Sequence, residues 1–428
     1  MDFYSTLESK LGPALSESLR DSRNLPVMHG LYLNKAKLDE ETLLSTFPCL
    51  KRHPIVSNAF CYQDGECEPG KHLFHHLGGY YLLDPASMLP PFALSPKPGE
   101  RILDLCAAPG GKTCLMAMME PSSILLSNDL SYSRSLITSQ NVERLGLGNV
   151  AVTAGDFGKA KSHYQGYFDA ILLDAPCSGS AMFRKDVRLE QDWSIEKVQR
   201  VCEVQKELLE TASSMLTSGG RIVYSTCSFS YEEDEAIILE FLRNHPDFKA
   251  IPIAESPCLY HHEDLPESVR ALPHLFPGEG QFICLLLHQG AKVAHPKAKA
   301  PNLDKASLEI LSKYGLSSWS GLRNGDALYA LPEPIDIQGL SLLRRGVKVG
   351  EFVKGRFEID HALATTGHLP SVSIDENLAK RFVQGEGFPL NAPDGEVSLR
   401  YLNFDLGYAK IVHGYAKNHY PKGLRRKF

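Results

Sequence analysis

Residues 103–113, LDLCAAPGGKT, take the chain from an apolar strand into a loop of small residues and on to a helix that begins near Lys112. Such a loop lets the backbone approach a ligand closely, and the free N–H groups at the start of the helix attract an anionic group. A phosphate-binding P-loop needs a glycine six positions before the lysine, where this chain has Cys106. The stretch therefore predicts a Rossmann-type pocket and not a nucleotide triphosphatase.

Around this stretch, from residue 101 to about residue 289, short β-branched runs alternate with amphipathic stretches. The predicted strands are RILDLC, SILLSND, VAVTAGD, DAILLDA, RIVYSTC and QFICLLL. The predicted helices span residues 130–145, 196–216 and 232–243. Alternation of this kind is typical of βαβ units and a mainly parallel sheet. We therefore predict an α/β fold with one doubly wound domain over residues 96–290.

The flanking regions differ in composition from this central domain. Residues 1–95 read as a small helical and mixed domain that leads into the proline-broken stretch ASMLPPFALSPKPGE. Residues 291–301 are rich in lysine, alanine and proline, which predicts an exposed linker. A C-terminal domain then covers residues 302–428.

Composition sets the broad class of the protein. The 428 residues, of which 43% are apolar, suffice for globular domains, and no run is long and apolar enough for a membrane span. The first residues carry Asp2 and no apolar run, so they are not a secretory signal, and we predict a cytoplasmic protein. The net charge of −6 argues against a protein coated in nucleic acid, although a local basic surface can still bind phosphate.

The ten cysteines are scattered without a C-x-x-C pair, which predicts reduced thiols. A group of five cysteine and histidine residues lies close together in the first hundred residues. These are Cys61, Cys67, His72, His75 and His76. Their spacing fits no common zinc site, and we expect no metal.

Acidic residues follow successive predicted strands. Asp129 stands about twenty positions past the glycines, where an acidic residue accepts hydrogen bonds from ribose hydroxyls. Asp156 ends the next strand, within reach of an adenine edge, and Asp174 ends the one after it. Each alone could be a helix N-cap, but together they line the edge where open α/β sheets bind ligands. Because the glycines do not follow G-x-G-x-x-G, we expect a smaller nucleoside ligand such as S-adenosylmethionine instead of a dinucleotide.

Two predicted strands run into a cysteine. Cys177 lies in LLDAPCSGSAMFRKD, residues 172–186, and Cys227 lies in RIVYSTCSFS, residues 221–230. One such thiol could be a packed, inert strand-end cysteine. Two at matching strand ends indicate chemistry.

The motifs LDLCAAPGGKT, DAPCSGSAMFRKD and YSTCSFSYEEDEA, in this order, resemble those of the RsmB/RsmF (NOL1/NOP2/Sun) family of RNA 5-methylcytosine methyltransferases. The stretches GLSLLRRGVKVGEF, RFEIDHALA and KNHYPKGLRRKF are similar to the PUA-like RNA-binding extension of the RsmF group. The RsmB group carries an N-terminal RNA-binding domain, for which residues 1–95 are too short, so the RsmF group is the better match. Ser180, Ala181 and Asp234 depart from the family pattern, in which glutamate, glycine and asparagine are expected.

The resemblance implies a Rossmann-like class I S-adenosylmethionine-dependent methyltransferase core with a small N-terminal domain and a C-terminal PUA-like RNA-binding domain. It implies that Cys227 is the nucleophile, that Cys177 assists product release, and that Asp174 contacts the base and relays a proton. The implied cofactor contacts are Cys106, Ala107, Ala108, Pro109, Gly110, Gly111, Lys112, Asp129, Asp156 and Asp174. Cys114, by contrast, is expected to pack beneath the cofactor loop, and packing is also the expected role of the Cys106 thiol.

The implied reaction is methylation of carbon 5 of cytosine in RNA, by resemblance 16S rRNA near the decoding centre, through a covalent Cys227 adduct at carbon 6. Carbon 5 is too weak a nucleophile to take a methyl group from a sulfonium, and addition of a thiolate to carbon 6 makes the ring electron rich. A carboxyl group near N3 and N4, here Asp174, can relieve the charge that builds on the ring. Two alternatives stay open: a tRNA cytosine-5 methyltransferase, and a noncatalytic ribosome-assembly factor that binds RNA.

The target base must leave its stack to be attacked, which favours loops or locally opened RNA. The last thirty residues suit such a substrate because basic and aromatic side chains alternate there, although an ordinary basic tail would look similar. The basic residues are Arg400, Lys410, Lys417, Lys422, Arg425, Arg426 and Lys427, and the tyrosines among them are Tyr401, Tyr408, Tyr415 and Tyr420, with Asp405 the single acid. The predicted partner is 16S rRNA or the 30S subunit, bound by a monomer.

Overall fold

A computed structural model describes residues 2–253, 256–291, 293, 296 and 298–427. The predicted linker, residues 291–301, therefore lies partly outside the described residues. Within the described part of the chain, no helix has the length and apolar character needed to cross a membrane.

The first hundred residues form a four-stranded antiparallel sheet in the order β2-β3-β1-β4, with short helices before and between the strands. The elements are α1 (Phe3–Leu11), α2 (Pro13–Asp21), β1 (Met28–Leu33), α3 (Glu40–Thr46), β2 (Lys51–Arg52), β3 (Ala59–Gln63), α4 (Leu73–His76), β4 (Tyr80–Leu82) and α5 (Leu89–Leu94). The two proline residues that open α5 suit the first turn of a helix, where the N–H groups have no intrahelical partner.

The middle of the chain forms a large sheet whose centre is parallel. Its elements are β5 (Arg101–Asp104), α6 (Gly111–Met119), β6 (Ile124–Asp129), α7 (Tyr132–Leu145), β7 (Val150–Ala154), α8 (Phe157–Ala160), β8 (Phe168–Asp174), α9 (Val187–Gln191), α10 (Ile195–Met215), β9 (Leu216–Thr226), α11 (Glu235–Asn244), β10 (Phe248–Ile251), β11 (Tyr260–His262), β12 (Leu265–Ala271) and β13 (Gln281–His288). The order is β11-β12-β13-β9-β8-β5-β6-β7, and β10 pairs with β13. Strands β9, β8, β5, β6 and β7 are parallel, while β13 is antiparallel to β9.

The predicted α/β fold is confirmed, since all six predicted strands form and the three predicted helices appear as α7, α10 and α11. The sheet is covered on both faces because its parallel strands are apolar on both sides. Ile171 packs with α10 and α11, and its neighbour Leu172 packs with α6 and α7. Helix α10 begins at Ser194, whose side chain accepts a hydrogen bond from the Lys197 N–H, and α7 ends at the left-handed Gly146.

The C-terminal region forms two further sheets. Its elements are α12 (Lys305–Lys313), β14 (Ser320–Asn324), β15 (Ala327–Leu331), β16 (Ser341–Arg345), β17 (Val347–Val353), β18 (Arg356–Ile359), α13 (His361–Ala364), β19 (Ser371–Ser373), α14 (Glu376–Val383), β20 (Phe388–Pro389), β21 (Gly395–Tyr401), β22 (Phe404–Val412) and β23 (Tyr415–Asn418). The sheet orders are β14-β15-β17-β18 and β19-β21-β22-β23-β20. Strand β16 joins neither of them, because it pairs antiparallel with β7 and forms the tenth strand and the edge of the central sheet.

The two ends of the chain share a hydrophobic core. Phe74 from the N-terminal region stacks on Phe404 of β22, with ring centroids 5.5 Å apart. The N-terminal helix α1 instead covers the loops that follow the central strands, since Phe3 contacts Phe183 edge to face at 5.0 Å. The N-terminal region therefore packs both against the loops that follow the central strands and against the C-terminal region.

The expectation that all the cysteines are reduced is wrong for one pair. Cys49 and Cys67 form a disulfide, with their Cα atoms 6.8 Å apart. The two residues are 18 positions apart and meet only because α3 and β3 pack against the same core, so no local spacing announces the pair. The other eight cysteines are free thiols.

Candidate active site

The loop between β5 and α6 is held against the end of β6 by its own backbone. The Ala107 N–H donates to the Asn128 carbonyl at 2.8 Å, and the Ala108 N–H donates to Asp129 Oδ2 at 3.2 Å. Gly110 has a left-handed φ of +96°, and a Cβ there would lie 2.6 Å from Thr138 Cγ2. Glycine is therefore required at this position by both backbone conformation and packing.

A buried carboxylate at the base of this loop has an oxygen free for a ligand. Asp104 Oδ2 accepts a hydrogen bond from Thr113 Oγ1 at 2.6 Å, while Asp104 Oδ1 has no partner among the described residues. Burial raises the pKa of Asp104 to about 7. An unpaired carboxyl oxygen next to a small-residue loop suits a ligand that carries amino or hydroxyl donors, as S-adenosylmethionine does.

The carboxylate of Asp129 faces the same loop. It is nearly buried, its Oδ1 accepts a hydrogen bond from the Ser131 N–H at 2.9 Å, and its Oδ2 lies 3.3 Å from Arg134 Nη1. Asp129 thus fixes the loop and the start of α7 at once. The structure places it with the cofactor loop, as the sequence predicts.

Asp156 lies at the end of β7 but is used locally. Its Oδ1 accepts a hydrogen bond from the Gly158 N–H at 2.9 Å, which makes it the N-cap of α8. Its side chain is 43% exposed and lies 3.5 Å from Lys159. Asp156 is therefore a helix N-cap in this structure, and it lies at the carboxyl end of β7.

Asp174, at the end of β8, gathers three donors. Lys112 Nζ lies 2.7 Å from its Oδ2, and Ser225 Oγ and Gln281 Nε2 donate to its Oδ1 at 2.7 and 2.9 Å. Burial lowers the pKa of Lys112, but the charge and hydrogen bond of Asp174 outweigh burial and leave it above its ordinary value. The Lys112 ammonium also interacts with the charge of Cys227.

The two predicted thiols meet beside this group. Strands β8 and β9 are parallel neighbours, and Asp174 pairs with Ser225 in their register, so the loops that follow them run side by side. Cys177 Sγ and Cys227 Sγ lie 2.7 Å apart. The hydrogen bond to Cys227 and burial raise the pKa of Cys177 well above its ordinary value. Burial and this hydrogen bond thus favour the protonated form of the Cys177 thiol.

A fully buried carboxylate joins the two cysteine loops. Glu233 Oε2 accepts hydrogen bonds from the Ser178 N–H at 2.8 Å and from Gln205 Nε2 at 3.1 Å. Its Oε1 accepts from Ser228 Oγ at 2.7 Å and from Ser178 Oγ. Ser178 follows Cys177 and Ser228 follows Cys227, so Glu233 fixes the separation of the two thiols.

The next two acids, Asp234 and Glu235, are also buried and pair with a cation. Arg270 Nη1 lies 2.9 Å from Asp234, and Arg270 Nε donates to Glu235 at 2.8 Å. Asp234 Oδ1 also accepts a hydrogen bond from Thr226 Oγ1 at 2.5 Å, directly before Cys227. Asp234, one of the departures from the family pattern, thus forms an ion pair through Oδ2 and accepts a hydrogen bond from a hydroxyl through Oδ1.

The other departures lie where the two cysteine loops touch. Ser180 Oγ accepts a hydrogen bond from the Phe229 N–H at 2.7 Å and lies 3.2 Å from Ser228 Oγ. Ala181 packs with α1 and α2, and its N–H donates to the Cys227 carbonyl at 3.1 Å. Both residues therefore tie the Cys177 loop to the Cys227 loop.

Three residues of the site were missed by sequence reasoning. Ser225 and Gln281 are hydrogen-bond partners of Asp174, and Glu233 joins the cysteine loops. Glu233 stands in the run YEEDE before a helix, where acids usually stabilise the helix start in solvent. The sequence feature that could have identified Glu233 is the serine directly after each of the two cysteines, because buried hydroxyl and N–H groups need a hydrogen-bond acceptor.

The basic C-terminal region is only partly an open surface. Lys410 and Lys417 face each other across β22 and β23 and are both exposed. Arg400, by contrast, is ion-paired with Asp405 at 2.9 Å, and Tyr420 is 5% exposed. Of the basic and aromatic residues expected to contact RNA, some therefore lie on the surface and others form contacts within the protein.

Three family models match successive parts of the chain. "16S rRNA methyltransferase RsmB/F" matches residues 91–287, "RsmF rRNA methyltransferase first C-terminal domain" matches residues 317–366, and "Methyltransferase RsmF PUA domain" matches residues 369–426. The match to the PUA domain covers the sheet from β19 to β23.

Curated relatives carry the name ribosomal RNA small subunit methyltransferase F. The protein from Shewanella woodyi is 32% identical over 94% of this chain and 91% of its own length. That from Shewanella loihica is 30% identical over 85% and 81%, respectively, and that from Escherichia coli is 32% identical over 82% and 79%.

Solved structures with the same fold include a methyltransferase homolog protein from Pyrococcus horikoshii, 26% identical, with a TM-score of 0.58 over 66% of this chain and 93% of that one. NSun6 from Pyrococcus horikoshii, solved with SFG, has a TM-score of 0.61 over 68% of this chain and 98% of that one. At 19% identity the second likeness concerns the fold alone.

Proposed function

This chain belongs to the RsmF group of the 16S rRNA methyltransferase RsmB/F family, and we propose that it methylates carbon 5 of a cytosine in 16S rRNA near the decoding centre. The proposal includes a covalent intermediate between Cys227 and carbon 6 of the target base. S-adenosylmethionine, when bound, supplies the methyl group.

The observation that carries the proposal is the pairing of two thiols beside a lysine and an aspartate. Cys177 and Cys227 are 2.7 Å apart, next to the ion pair of Lys112 and Asp174. A methyltransferase that transferred the methyl group without first adding a thiol to carbon 6 would not need two thiols at this edge of the sheet. Addition to carbon 6 followed by elimination uses one thiol for each step.

The cofactor is held, in this proposal, by the loop from Cys106 to Lys112 and by the carboxylates at the strand ends. The loop and Asp129 form one hydrogen-bonded unit, and the unpartnered oxygen of Asp104 lies beneath it. Asp156 presents its exposed edge on the same side of the sheet. These residues bind and orient the cofactor, whereas the residues beside the thiols act on the base.

Attack begins with Cys227. Its sulfur forms a bond to carbon 6, and the electron pair of the ring double bond moves toward carbon 5 and the N3 edge. Attack requires the thiolate form of a cysteine, and the Lys112 ammonium interacts with Cys227. Asp174 accepts a hydrogen bond from the exocyclic amino group at N4, and the Lys112–Asp174 pair supplies a proton to N3.

Release of the product depends on Cys177. The hydrogen bond to Cys227 is the largest cause of its raised pKa, and this bond is lost when the Cys227 sulfur becomes a thioether. Cys177 can then lose its proton to solvent and accept the proton from the methylated carbon 5. The electron pair of that C–H bond restores the ring double bond, and the bond between carbon 6 and sulfur breaks to regenerate the Cys227 thiolate. N3 returns its proton to the Lys112–Asp174 pair, which leaves neutral 5-methylcytosine.

We further propose that the chain acts as a cytoplasmic monomer whose C-terminal region docks the RNA. The exposed lysines of β22 and β23 suit phosphate contact. The proposal also divides the chain into an N-terminal domain (residues 1–95), a catalytic domain (residues 96–290), a linker (residues 291–301) and a C-terminal domain (residues 302–428). The family match over residues 91–287 supports the bounds of the catalytic domain. Strand β16 then fixes the C-terminal region to the catalytic sheet.

The experiment that tests the function combines two measurements on the purified full-length chain. We expect it to bind S-adenosylmethionine and to transfer tritiated methyl groups to unmodified 16S rRNA, and bisulfite sequencing of that RNA should then locate the modified cytosine. Transfer RNA is the control substrate. Methylation of tRNA instead of 16S rRNA would contradict the substrate, and loss of both cofactor binding and methyl transfer in a folded preparation would contradict the enzyme.

A further inference from the structure

A cavity of about 320 Å³ lies where three parts of the chain meet, away from the thiols. Its walls come from α4, the end of α7, α13 and the C-terminal tail after β23. Its volume falls at the lower end of the range for small-molecule pockets, about 300–1,000 Å³. The reaction proposed above uses none of the side chains that line it.

The acids around the cavity already have cationic partners outside it. Glu143 Oε2 lies 2.7 Å from Arg344 Nη1, and Asp405 forms a two-point contact with Arg400 at 2.9 and 3.0 Å. The negative charge at the walls is thus neutralised by residues that do not line the cavity.

The cations around the cavity are not neutralised in this way. Among the described residues, Lys37 Nζ donates hydrogen bonds to the carbonyls of Leu77 and Arg144, at 3.4 and 3.3 Å. Burial lowers the pKa of Lys37 to about 8, although the charge of Asp405 opposes this shift. Arg426 is exposed, and no ion pair is found for its guanidinium among the described residues. The rim of the cavity therefore carries positive charge at Arg426 that no acid among the described residues pairs with, which favours an anionic ligand.

Polar rings form the rest of the wall. The Tyr420 hydroxyl lies 2.8 Å from His76 Nε2, and the His361 ring packs edge to face on Tyr420 with centroids 4.9 Å apart. Nδ1 of His361 is buried and has no hydrogen-bond partner in the described part of the chain. A buried ring nitrogen without a partner is costly unless a ligand or water satisfies it. These rings suit a flat ligand with hydrogen-bonding edges.

We propose that this cavity, which we call the junction pocket, binds one unstacked nucleotide: its phosphate at Arg426 and its base against Tyr420 and His361. The proposal rests on the proposed RNA substrate, and the nucleotide would be one at a distance from the target cytosine. Such recognition of splayed-out bases by aromatic side chains and polar edges is the usual route to specificity for RNA.

The surroundings favour a nucleotide within RNA over a free mononucleotide. Lys422 and Lys427 are exposed in the same tail segment as Arg426, and residues 420–427 contain no acid. A row of cations continuing beyond the pocket suits a chain of phosphates. The wall also reaches the cofactor loop, because Asn141 Nδ2 donates to the Pro109 carbonyl at 3.1 Å. RNA held here would thus be anchored to the same helix that supports the cofactor loop.

The test uses photocrosslinking and kinetics on the full-length chain. With a 4-thiouridine-substituted 16S rRNA fragment, we expect crosslinked peptides that contain Tyr420 or His361. Replacing Arg426 with alanine (Arg426→Ala) should raise the KM for RNA about tenfold and leave kcat unchanged. It should also reduce the salt slope of RNA binding by about 1. The matched control is Arg356→Ala, an exposed arginine outside the pocket, which should change the KM less than twofold.

Three outcomes would overturn the proposal. One is the absence of any crosslink to the pocket peptides. Another is an equal effect of Arg426→Ala and Arg356→Ala on the KM for RNA. The third is calorimetric binding of free UMP or AMP that His361→Phe abolishes and the RNA fragment does not displace, which would assign the pocket to a free nucleotide. Crosslinking is read without turnover, so a chain that crosslinks but transfers no methyl group would contradict only the proposed function.

Discussion

Cys177 and Cys227 end neighbouring parallel strands in similar sequence contexts, yet their surroundings differ in charge. The pKa of Cys177 is raised by the hydrogen bond to Cys227, by burial, and by the nearby charges of Glu233 and Asp174. Cys227 instead lies near the ammonium of Lys112. We propose on this ground that the thiol of one loop holds a proton and that the thiol of the other loop is the nucleophile. Neighbouring charges, and not position in the fold, distinguish the two roles.

The largest effect should come from removing the nucleophile. Cys227→Ala should lower methyl transfer on the order of 10⁴-fold, because it removes the sulfur that bonds to carbon 6 in the proposed reaction. Methyl transfer to 16S rRNA under single-turnover conditions measures this. Cys258→Ala, which removes another free thiol, should keep the wild-type rate. A Cys227→Ala variant that kept more than a tenth of the normal activity would contradict the assignment of Cys227 as the nucleophile.

Removing the cation should have the next largest effect. Lys112→Met keeps the length of the side chain but leaves Asp174 and Cys227 without a positive neighbour. We expect kcat to fall about 10²-fold, as it does when a preorganised electrostatic contact is lost. Lys97→Met, an exposed lysine before β5, serves as the control. Equal rates for the two variants would mean that Lys112 does not favour attack.

The difference in proton affinity can be measured by alkylation. Since the pKa of Cys177 is raised, this residue stays a thiol at pH 7.5, and its thiolate fraction increases only as the pH rises. Iodoacetamide should therefore label Cys227 about tenfold faster than Cys177 at pH 7.5, and labelling of Cys177 in the wild-type chain should accelerate toward high pH. Mass spectrometry of the two peptides reports both rates. Faster labelling of Cys177 at pH 7.5 would reverse the assignment.

The smallest effect should come from loosening the contact between the loops. Glu233→Gln presents an amide donor to groups that are themselves donors, so we expect a loss of about 2 kcal/mol in the free energy of unfolding. The rates of adduct formation and release should fall together, because both thiols are positioned by the same carboxylate. Denaturant unfolding and single-turnover kinetics measure this. Glu232→Gln, next to it and outside the network, should behave as wild type.

The elements that sequence could predict are those with local patterns. Each central strand is a short β-branched run, and the amphipathic stretches between them match α7, α10 and α11. The cysteines could be placed together because parallel strands end at one edge of a sheet. The loop from Cys106 to Lys112 could be identified because small residues and a helix start are contiguous.

The rest depends on contacts between distant residues. Strand β16 pairs with β7 although nearly two hundred residues separate them, and nothing in SLLRR distinguishes it from a strand of its own region. The inward direction of Glu233 is set by Ser178 and Gln205, which come from other elements. Tyr420, expected among the RNA-facing aromatics, is buried because the tail folds back onto His76. Such choices are made by packing and not by local preference.

The most direct test of the division of roles is a denaturing gel of the Cys177→Ala variant incubated with 16S rRNA and S-adenosylmethionine. The nucleophile can attack, but release is blocked, so a covalent protein–RNA band should accumulate. That band should disappear when Cys227 is also replaced by alanine. A covalent band that persists in the Cys227→Ala variant and vanishes in Cys177→Ala would show that Cys177 attacks, contrary to the roles assigned to these two thiols.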